Sequence, residues 1–152
     1  MKKLFENALF IAILIPLATG ALSSLLSGGM DKAMVMPNFA PPGWLFPVVW
    51  TILYVLMGVS SYIIYQSDDP RRSRALFVYG LQLFFNFCWS IVFFGFSAYL
   101  FAFVWLLIMI GLIILMIYLF NQISPAAAYL QIPYLAWCIF AAVLNFAVYK
   151  LN

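Results

Sequence analysis

The sequence has no histidine, and only 7% of its 152 residues are charged, whereas 68% are hydrophobic. Without histidine, the common metal sites, acid–base pairs and Cys/His nucleophiles lack their usual central component. With so few charges, a water-soluble fold would lack the polar surface that it needs to cover itself. The composition therefore predicts an integral membrane protein, with no metal site and no conventional catalytic constellation.

The few charged residues are confined to short stretches of the chain. The run from Ala75 to Tyr149 contains no Asp, Glu, Lys or Arg. A soluble domain needs a solvated face on each surface element, so an uncharged run of this length fits lipid as the solvent. The basic residues lie at predicted helix ends and not along one face, which predicts topology signals and no nucleic-acid partner. Cys88 and Cys138 both fall in apolar runs, where we expect buried small side chains without a disulfide.

The apolar runs divide into five segments of membrane-spanning length. A bilayer core about 30 Å thick needs about 20 apolar residues in each helix. The sequence predicts an all-α bundle of five transmembrane helices in one domain over residues 1–152, with helices at about 5–27, 43–66, 72–96, 99–122 and 125–149. The first loop, at about 28–42, is expected to cap the bundle. Pro16, Pro47 and Pro133 fall inside the predicted spans and are expected to kink them.

The distribution of Lys and Arg predicts the orientation of the bundle. Five lie on the amino-terminal side and two on the opposite side: Lys2, Lys3, Arg71, Arg72 and Arg74 against Lys32 and Lys150. This bias places the amino terminus in the cytoplasm and the carboxyl terminus outside. The first apolar run, at about 9–26, is longer than the hydrophobic region of a signal peptide, which is about 7 to 15 residues, so we expect a retained helix.

The aromatic residues supply most of the candidate binding chemistry, since the chain has 5 Trp, 9 Tyr and 16 Phe. Trp50 and Tyr54 are four residues apart and share a face of the second helix. Trp137 and Ala141 repeat that spacing in the fifth helix, with Leu144 one turn further on. Trp44, at the start of the second helix, is expected to belong to the interfacial aromatic belt.

A polar stripe crosses the third helix, where Gln82, Asn86 and Trp89 lie at a spacing of four and then three residues. Polar groups within lipid are expected to face the bundle interior. Two interpretations stay open for Asn86 and for Asn145: a hydrogen bond that only joins helices, or a contact with a ligand. The small residues Gly20, Ser24 and Gly28 of the first helix predict close packing instead.

These residues together predict an aromatic pocket inside the bundle. A pocket lined by Trp50, Tyr54, Asn86, Trp89 and Trp137 would be planar, apolar and sparingly polar. Such a site suits a flat lipophilic ligand: a tetrapyrrole, a sterol or an aromatic drug.

Five stretches of the sequence resemble the translocator protein family, also called the tryptophan-rich sensory proteins or peripheral-type benzodiazepine receptors. They are PNFAPPGW at 37–44, VWTILYVLMG at 49–58, QLFFNFCWSIVFFG at 82–95, QISP at 122–125 and PYLAWCIFAAVLN at 133–145. The resemblance implies a five-helix bundle, often a homodimer, in a bacterial cell membrane. It also implies that porphyrins and synthetic benzodiazepine-site ligands bind between the helices under the first loop.

The resemblance also implies roles for individual residues. It assigns seven to the pocket: Pro41, Trp50, Asn86, Trp89, Trp137, Ala141 and Leu144. The leading hypothesis is a membrane receptor or transporter-like protein for a protoporphyrin IX-like ligand, with no cofactor required. Bacterial members are credited with light-dependent porphyrin breakdown that involves two tryptophans, so Trp50 and Trp137 are the candidate catalytic residues of a second hypothesis, a porphyrin-degrading enzyme. A third hypothesis is a membrane scaffold without a small-molecule ligand.

Three departures from the family pattern limit what the resemblance implies. In the first loop, Met30-Asp31 stands where many members have Trp-Tyr, and Phe39 stands in place of a further tryptophan. In the carboxyl-terminal sterol motif, Phe146 replaces a tyrosine and Lys150 directly follows Tyr149. Because that motif is weak even when intact, we expect no strong sterol recognition.

Overall fold

The computed structural model describes residues 2–28 and 33–152, and the described residues form helices joined by loops. The helices are α1 (Lys2–Ser27), α2 (Leu45–Tyr65), α3 (Arg72–Ser90) with a π-helical extension (Ile91–Gly95), α4 (Tyr99–Ile123), α5 (Pro125–Leu130) and α6 (Ile132–Leu151). Five stretches of helix are long and apolar enough to cross a membrane, the fifth consisting of α5 and α6 together. The predicted all-α fold with five membrane-spanning segments is confirmed.

The helix ends lie within three residues of the predicted ones, but two spans contain irregularities that were not predicted. The third span ends in the π-helical turn Ile91–Gly95, and the fifth is interrupted at Gln131. The interruption precedes Pro133, which lacks an amide hydrogen and sits in the first turn of α6. Pro47 likewise sits in the first turn of α2, while α1 continues through Pro16 as one helix.

The helices are arranged in a ring. α1 packs against α2 and α3, α4 packs against α3 and α6, and α2 meets the fifth span mainly at α5. The half of the bundle near the α2–α3 loop is filled by fully buried apolar side chains, including Ile64, Met116 and Phe120. The other half, below the first loop, is where the bundle contains open space.

The α2–α3 loop is fastened by its one ion pair among the described residues. Arg71 donates from Nε and Nη2 to the carboxylate of Asp69 at 3.0 and 2.8 Å, and from Nη2 to the carbonyl of Gln122 at 3.1 Å. Hydrogen bonds from the Arg71 side chain and backbone lower the pKa of Asp69 to about 2. The pair therefore stays charged at physiological pH and links this loop to the end of α4.

A close contact between α1 and α2 depends on glycine. A Cβ at Gly58 would collide with the backbone of Ala12 and Ile13, and a Cβ at Gly20 would collide with the Tyr54 ring. At Gly28 a Cβ would meet nothing within 4 Å, so the small-residue face of α1 predicted from the sequence makes its close contact at Gly20. The two helices can approach this closely only because both lack side chains at these points.

We expect Gly58→Ala to destabilise the protein by about 1–3 kcal/mol, because backbone of α1 must move to admit the added methyl group. Gly111→Ala is the matched control, since a Cβ at that lipid-facing position of α4 meets nothing within 4 Å. The free energy of unfolding in a detergent titration measures the difference. Equal effects of the two substitutions would contradict the close contact.

Candidate ligand-binding site

A cavity of about 670 Å³ lies between the helices below the first loop. Its described lining comes from α1, α2, α3 with the π-helical extension, α6 and the first loop. The volume falls within the range of about 300–1,000 Å³ that is typical of small-molecule sites in proteins. The cavity is the candidate binding site.

Most of the residues predicted for the pocket line this one cavity. They are Trp50, Tyr54, Asn86, Trp89, Trp137, Ala141 and Leu144. Pro41 is half-buried in the first loop but is not among the described lining residues, and the loop contributes Met34, Met36 and Gly43 to the lining. Trp44 is 67% exposed and does not line the cavity, in keeping with a place in the interfacial belt.

A chain of hydrogen bonds joins α2, α3 and α6 at the inner end of the cavity. Tyr54 Oη donates to Asn86 Oδ1 at 2.9 Å, and Asn86 Nδ2 donates to Tyr134 Oη at 2.9 Å. Tyr134 Oη in turn donates to Gln82 Oε1 at 2.7 Å. All four side chains are buried, although only Tyr54 and Asn86 also line the cavity. Asn86 thus belongs both to the helix contacts and to the cavity wall.

A second polar bridge crosses the cavity wall one to two turns nearer the loop. Trp89 Nε1 donates to Asn145 Oδ1 at 3.1 Å, and Asn145 Nδ2 donates to the carbonyl of Tyr99 at 2.9 Å. These bonds connect α3, α6 and the start of α4. Because the carboxamide of Asn86 bonds to two tyrosines and that of Asn145 to Trp89 and a backbone carbonyl, the wall presents mainly aromatic and aliphatic surface.

The two tryptophans singled out from the sequence are both held by other rings. Trp50 stacks on Tyr54 with centroids 5.5 Å apart and planes at 29°, and meets Tyr134 edge-on at 6.2 Å. Trp137 meets Phe46 edge-on at 5.9 Å and lies 5.4 Å from Phe140. Aromatic pairs in such geometries contribute about 0.5–1.5 kcal/mol beyond the area that they bury. The indoles are therefore fixed in place before any ligand arrives.

From the sequence, only close packing was predicted for α1, and its contribution to the cavity wall was missed. Ser23 Oγ donates to the carbonyl of Phe87 at 2.7 Å, and the hydroxyls of Ser27 and Ser90 are 3.0 Å apart. Ser23 and Ser27, which lie on α1, both line the cavity. Their four-residue spacing was the available signal, because it places two hydroxyls on one face of an otherwise apolar helix.

A side chain at the end of α6 holds the first loop against the bundle. The amide hydrogen of Val35 bonds to Asn152 Oδ1 at 3.0 Å, and Asn152 Nδ2 donates to the carbonyl of Val35 at 3.0 Å. Asn152 Nδ2 also donates to Val148 O at 2.8 Å. This clasp fixes the loop segment whose neighbouring residues, Met34 and Met36, line the cavity.

Of the first-loop residues that depart from the family pattern, only Phe39 lies among the described residues. Met30 and Asp31 lie outside the described residues. Phe39 is exposed and packs edge-on against Phe140, with centroids 6.5 Å apart, and does not line the cavity. In the modified sterol motif, the ammonium group of Lys150 lies 5.5 Å from the ring centre of Phe146. The basic group that the motif requires therefore lies over the substituted ring.

The fold and the cavity define a class: an integral membrane protein whose five spans enclose a mainly apolar site at one end. The chain matches the TspO/MBR family over residues 12–151 and therefore belongs to that family. This confirms the resemblance inferred from the five sequence stretches.

Named relatives cover most of the chain. The tryptophan-rich protein TspO of Archaeoglobus fulgidus is 39% identical over 125 residues, which make up 82% of this chain and 78% of the relative. The translocator protein of Homo sapiens is 36% identical over 119 residues, or 76% of this chain and 70% of the relative. The tryptophan-rich sensory protein of Cereibacter sphaeroides is 34% identical over 149 residues, or 95% and 92%.

We expect Tyr134→Phe to lower the free energy of unfolding by about 1–2 kcal/mol, because it leaves Asn86 Nδ2 and Gln82 Oε1 without this partner. Tyr129→Phe is the control, since that tyrosine is on the same span and is 75% exposed. Denaturation in mixed micelles measures both variants. A loss no larger than that of the control would show that the chain of hydrogen bonds does not stabilise the bundle.

Proposed function

We propose that this protein is a membrane receptor that binds porphyrins and similar flat lipophilic molecules between Trp50 and Trp137. The observation that carries the proposal is the convergence of these two indoles, from α2 and α6, on one cavity of about 670 Å³. Relatives named translocator protein and tryptophan-rich sensory protein support a receptor-like role in the membrane. The porphyrin is our inference from the chemistry of the cavity wall.

The wall favours a ligand that is recognised by its faces more than by its charges. No Lys, Arg, Asp or Glu is among the described residues that line the cavity. An ionised ligand group placed there would lose its hydration without gaining a counter-ion. A conjugated macrocycle can instead stack on indole rings while its acidic substituents remain near the membrane surface.

Asn86 is the polar group that we assign to orienting the ligand. Its carboxamide gives one amide hydrogen to Tyr134 and accepts one hydrogen bond from Tyr54. A carboxamide has two amide hydrogens and two acceptor positions, so one of each remains. These remaining groups can bond to pyrrole nitrogens without dismantling the contacts between the helices.

The proposal includes the cellular setting expected from the sequence. The Lys and Arg bias favours a cytoplasmic amino terminus, with the first loop, the cavity and the carboxyl terminus at the outer side of a bacterial cell membrane. The family resemblance favours a homodimer. Both features remain proposals, and the cavity itself is built by a single chain.

We expect the double variant Trp50→Phe and Trp137→Phe to bind protoporphyrin IX about tenfold more weakly, which corresponds to about 1.4 kcal/mol, because two indole faces are replaced by smaller rings. Soret-band titration of the purified protein measures the dissociation constant. Trp44→Phe is the control, since its indole is exposed and outside the cavity.

Two results would count against the proposal. Unchanged affinity in the double variant would remove the two indoles from the binding site. If neither protoporphyrin nor another flat aromatic ligand raised the unfolding temperature of the wild-type protein, the scaffold hypothesis would be favoured, because a ligand that binds only the folded state must stabilise it.

The convergence of Trp50 and Trp137 also favours a second candidate function, light-dependent degradation of the bound porphyrin. Indole oxidation requires no acid–base residue, and the cavity would hold both candidate catalytic rings near the same ligand. We expect illumination of the complex in air to bleach the Soret band and to produce a bilin-like absorbance. This product should be lost in the double variant at saturating porphyrin, whereas a passive receptor would bleach equally with and without the two tryptophans.

A further inference from the structure

The interface between α1 and α2 has a defined antiparallel register. Tyr54 packs over Gly20, and Gly58 packs against the backbone of Ile13. Continued toward the first loop, the same register brings Ala21 opposite Thr51 and Ser24 opposite Pro47. If α1 and α2 stayed in contact up to the first loop, these residues would be covered by the neighbouring helix.

Those four residues are instead exposed, although all of them line the cavity: Ala21, Ser24, Pro47 and Thr51. By contrast, the lining residues from α3 and α6, such as Asn86 and Asn145, are buried or half-buried. α1 and α2 therefore separate beyond the contact between Gly20 and Tyr54. The cavity reaches the protein surface through this gap.

The gap lies within the membrane-spanning part of both helices. Ala21 is six residues from the end of α1 at Ser27, and Thr51 is six residues from the start of α2 at Leu45. At about 1.5 Å per residue, the gap extends to about 9 Å below the helix ends. At that depth the surrounding medium is the upper part of a lipid leaflet.

The other sides of the cavity are either bonded or covered by side chains. The serine contacts join α1 to α3, and the ring of Trp137 stands between the cavity and a shallow apolar groove on the outer surface of α2 and α6. Over the top, the clasp between Asn152 and Val35 holds the described part of the first loop. Among the described lining residues, the exposed ones are the four at the α1–α2 gap and Gly43 in the loop directly before α2.

We propose that ligands enter and leave the cavity sideways, through the gap between α1 and α2, from the leaflet on the side of the first loop. This inference rests on the proposed function and specifies its ligand further: a flat molecule that is already dissolved in the bilayer. The small side chains of Ala21 and Ser24 leave room for such a molecule to pass edge-on between the helices.

The test places a bulky side chain at the gap and measures the binding rates. Wild-type protein and Ser24→Trp are reconstituted in phosphatidylcholine vesicles, and protoporphyrin IX binding is followed by stopped-flow absorbance. We expect the association and dissociation rate constants of Ser24→Trp both to fall about tenfold, whereas a side chain that only disturbed the binding site would raise the dissociation rate constant. Leu25→Trp is the matched control, because Leu25 is the next residue of α1, is 80% exposed and does not line the cavity.

A second variant keeps the test decisive. Thr51→Phe narrows the gap from the α2 side and should slow binding in the same way if Ser24→Trp does not fold.

The outcomes separate the entry route from the proposed function. Wild-type or faster dissociation in both gap variants, or equal slowing in Leu25→Trp, would overturn the lateral route without overturning the binding site. A wild-type protein that binds no protoporphyrin at equilibrium would overturn the proposed function, and the route with it.

Discussion

The hydrogen-bond chain from Tyr54 through Asn86 and Tyr134 to Gln82 is the contact on which the site depends. In lipid, apolar packing alone gives neighbouring helices little reason to prefer one arrangement, since lipid tails are equally apolar. A buried carboxamide or phenol, however, must find a partner or bear the cost of its desolvation. This chain therefore fixes the rotation of three helices, and that rotation turns Trp50, Trp89 and Trp137 toward one space.

The same chain divides the bundle into two parts with different properties. On one side of it, Ile64, Met116 and Phe120 fill the interior completely. On the other side, glycine contact holds α1 to α2 only as far as Gly20, and the helices then diverge. A bundle that was packed throughout would be more stable but would have no room for a ligand. The hydrogen-bond chain therefore lies at the boundary between the packed half of the bundle and the cavity.

The sequence was sufficient for the fold because its signals were strong and local. Uncharged runs set the spans, and four-residue spacings placed Trp50 with Tyr54 and Trp137 with Ala141 on shared faces. Other features depend on contacts that no spacing encodes. The partners of Asn86 come from two other spans, the spacing of Ser23 and Ser27 does not show that they bond to α3, and the π-helical turn at Ile91–Gly95 has no simple sequence signature.

The Asn152 clasp has a consequence for how the protein is made. Asn152 and Val35 are separated by 117 positions, with four of the five spans between the loop and the end of α6. A contact between such distant parts of the chain can form only after the intervening segments have been placed in the membrane. During biosynthesis, the covering of the cavity is therefore among the final events, and partly inserted chains expose its aromatic wall to the surrounding lipid.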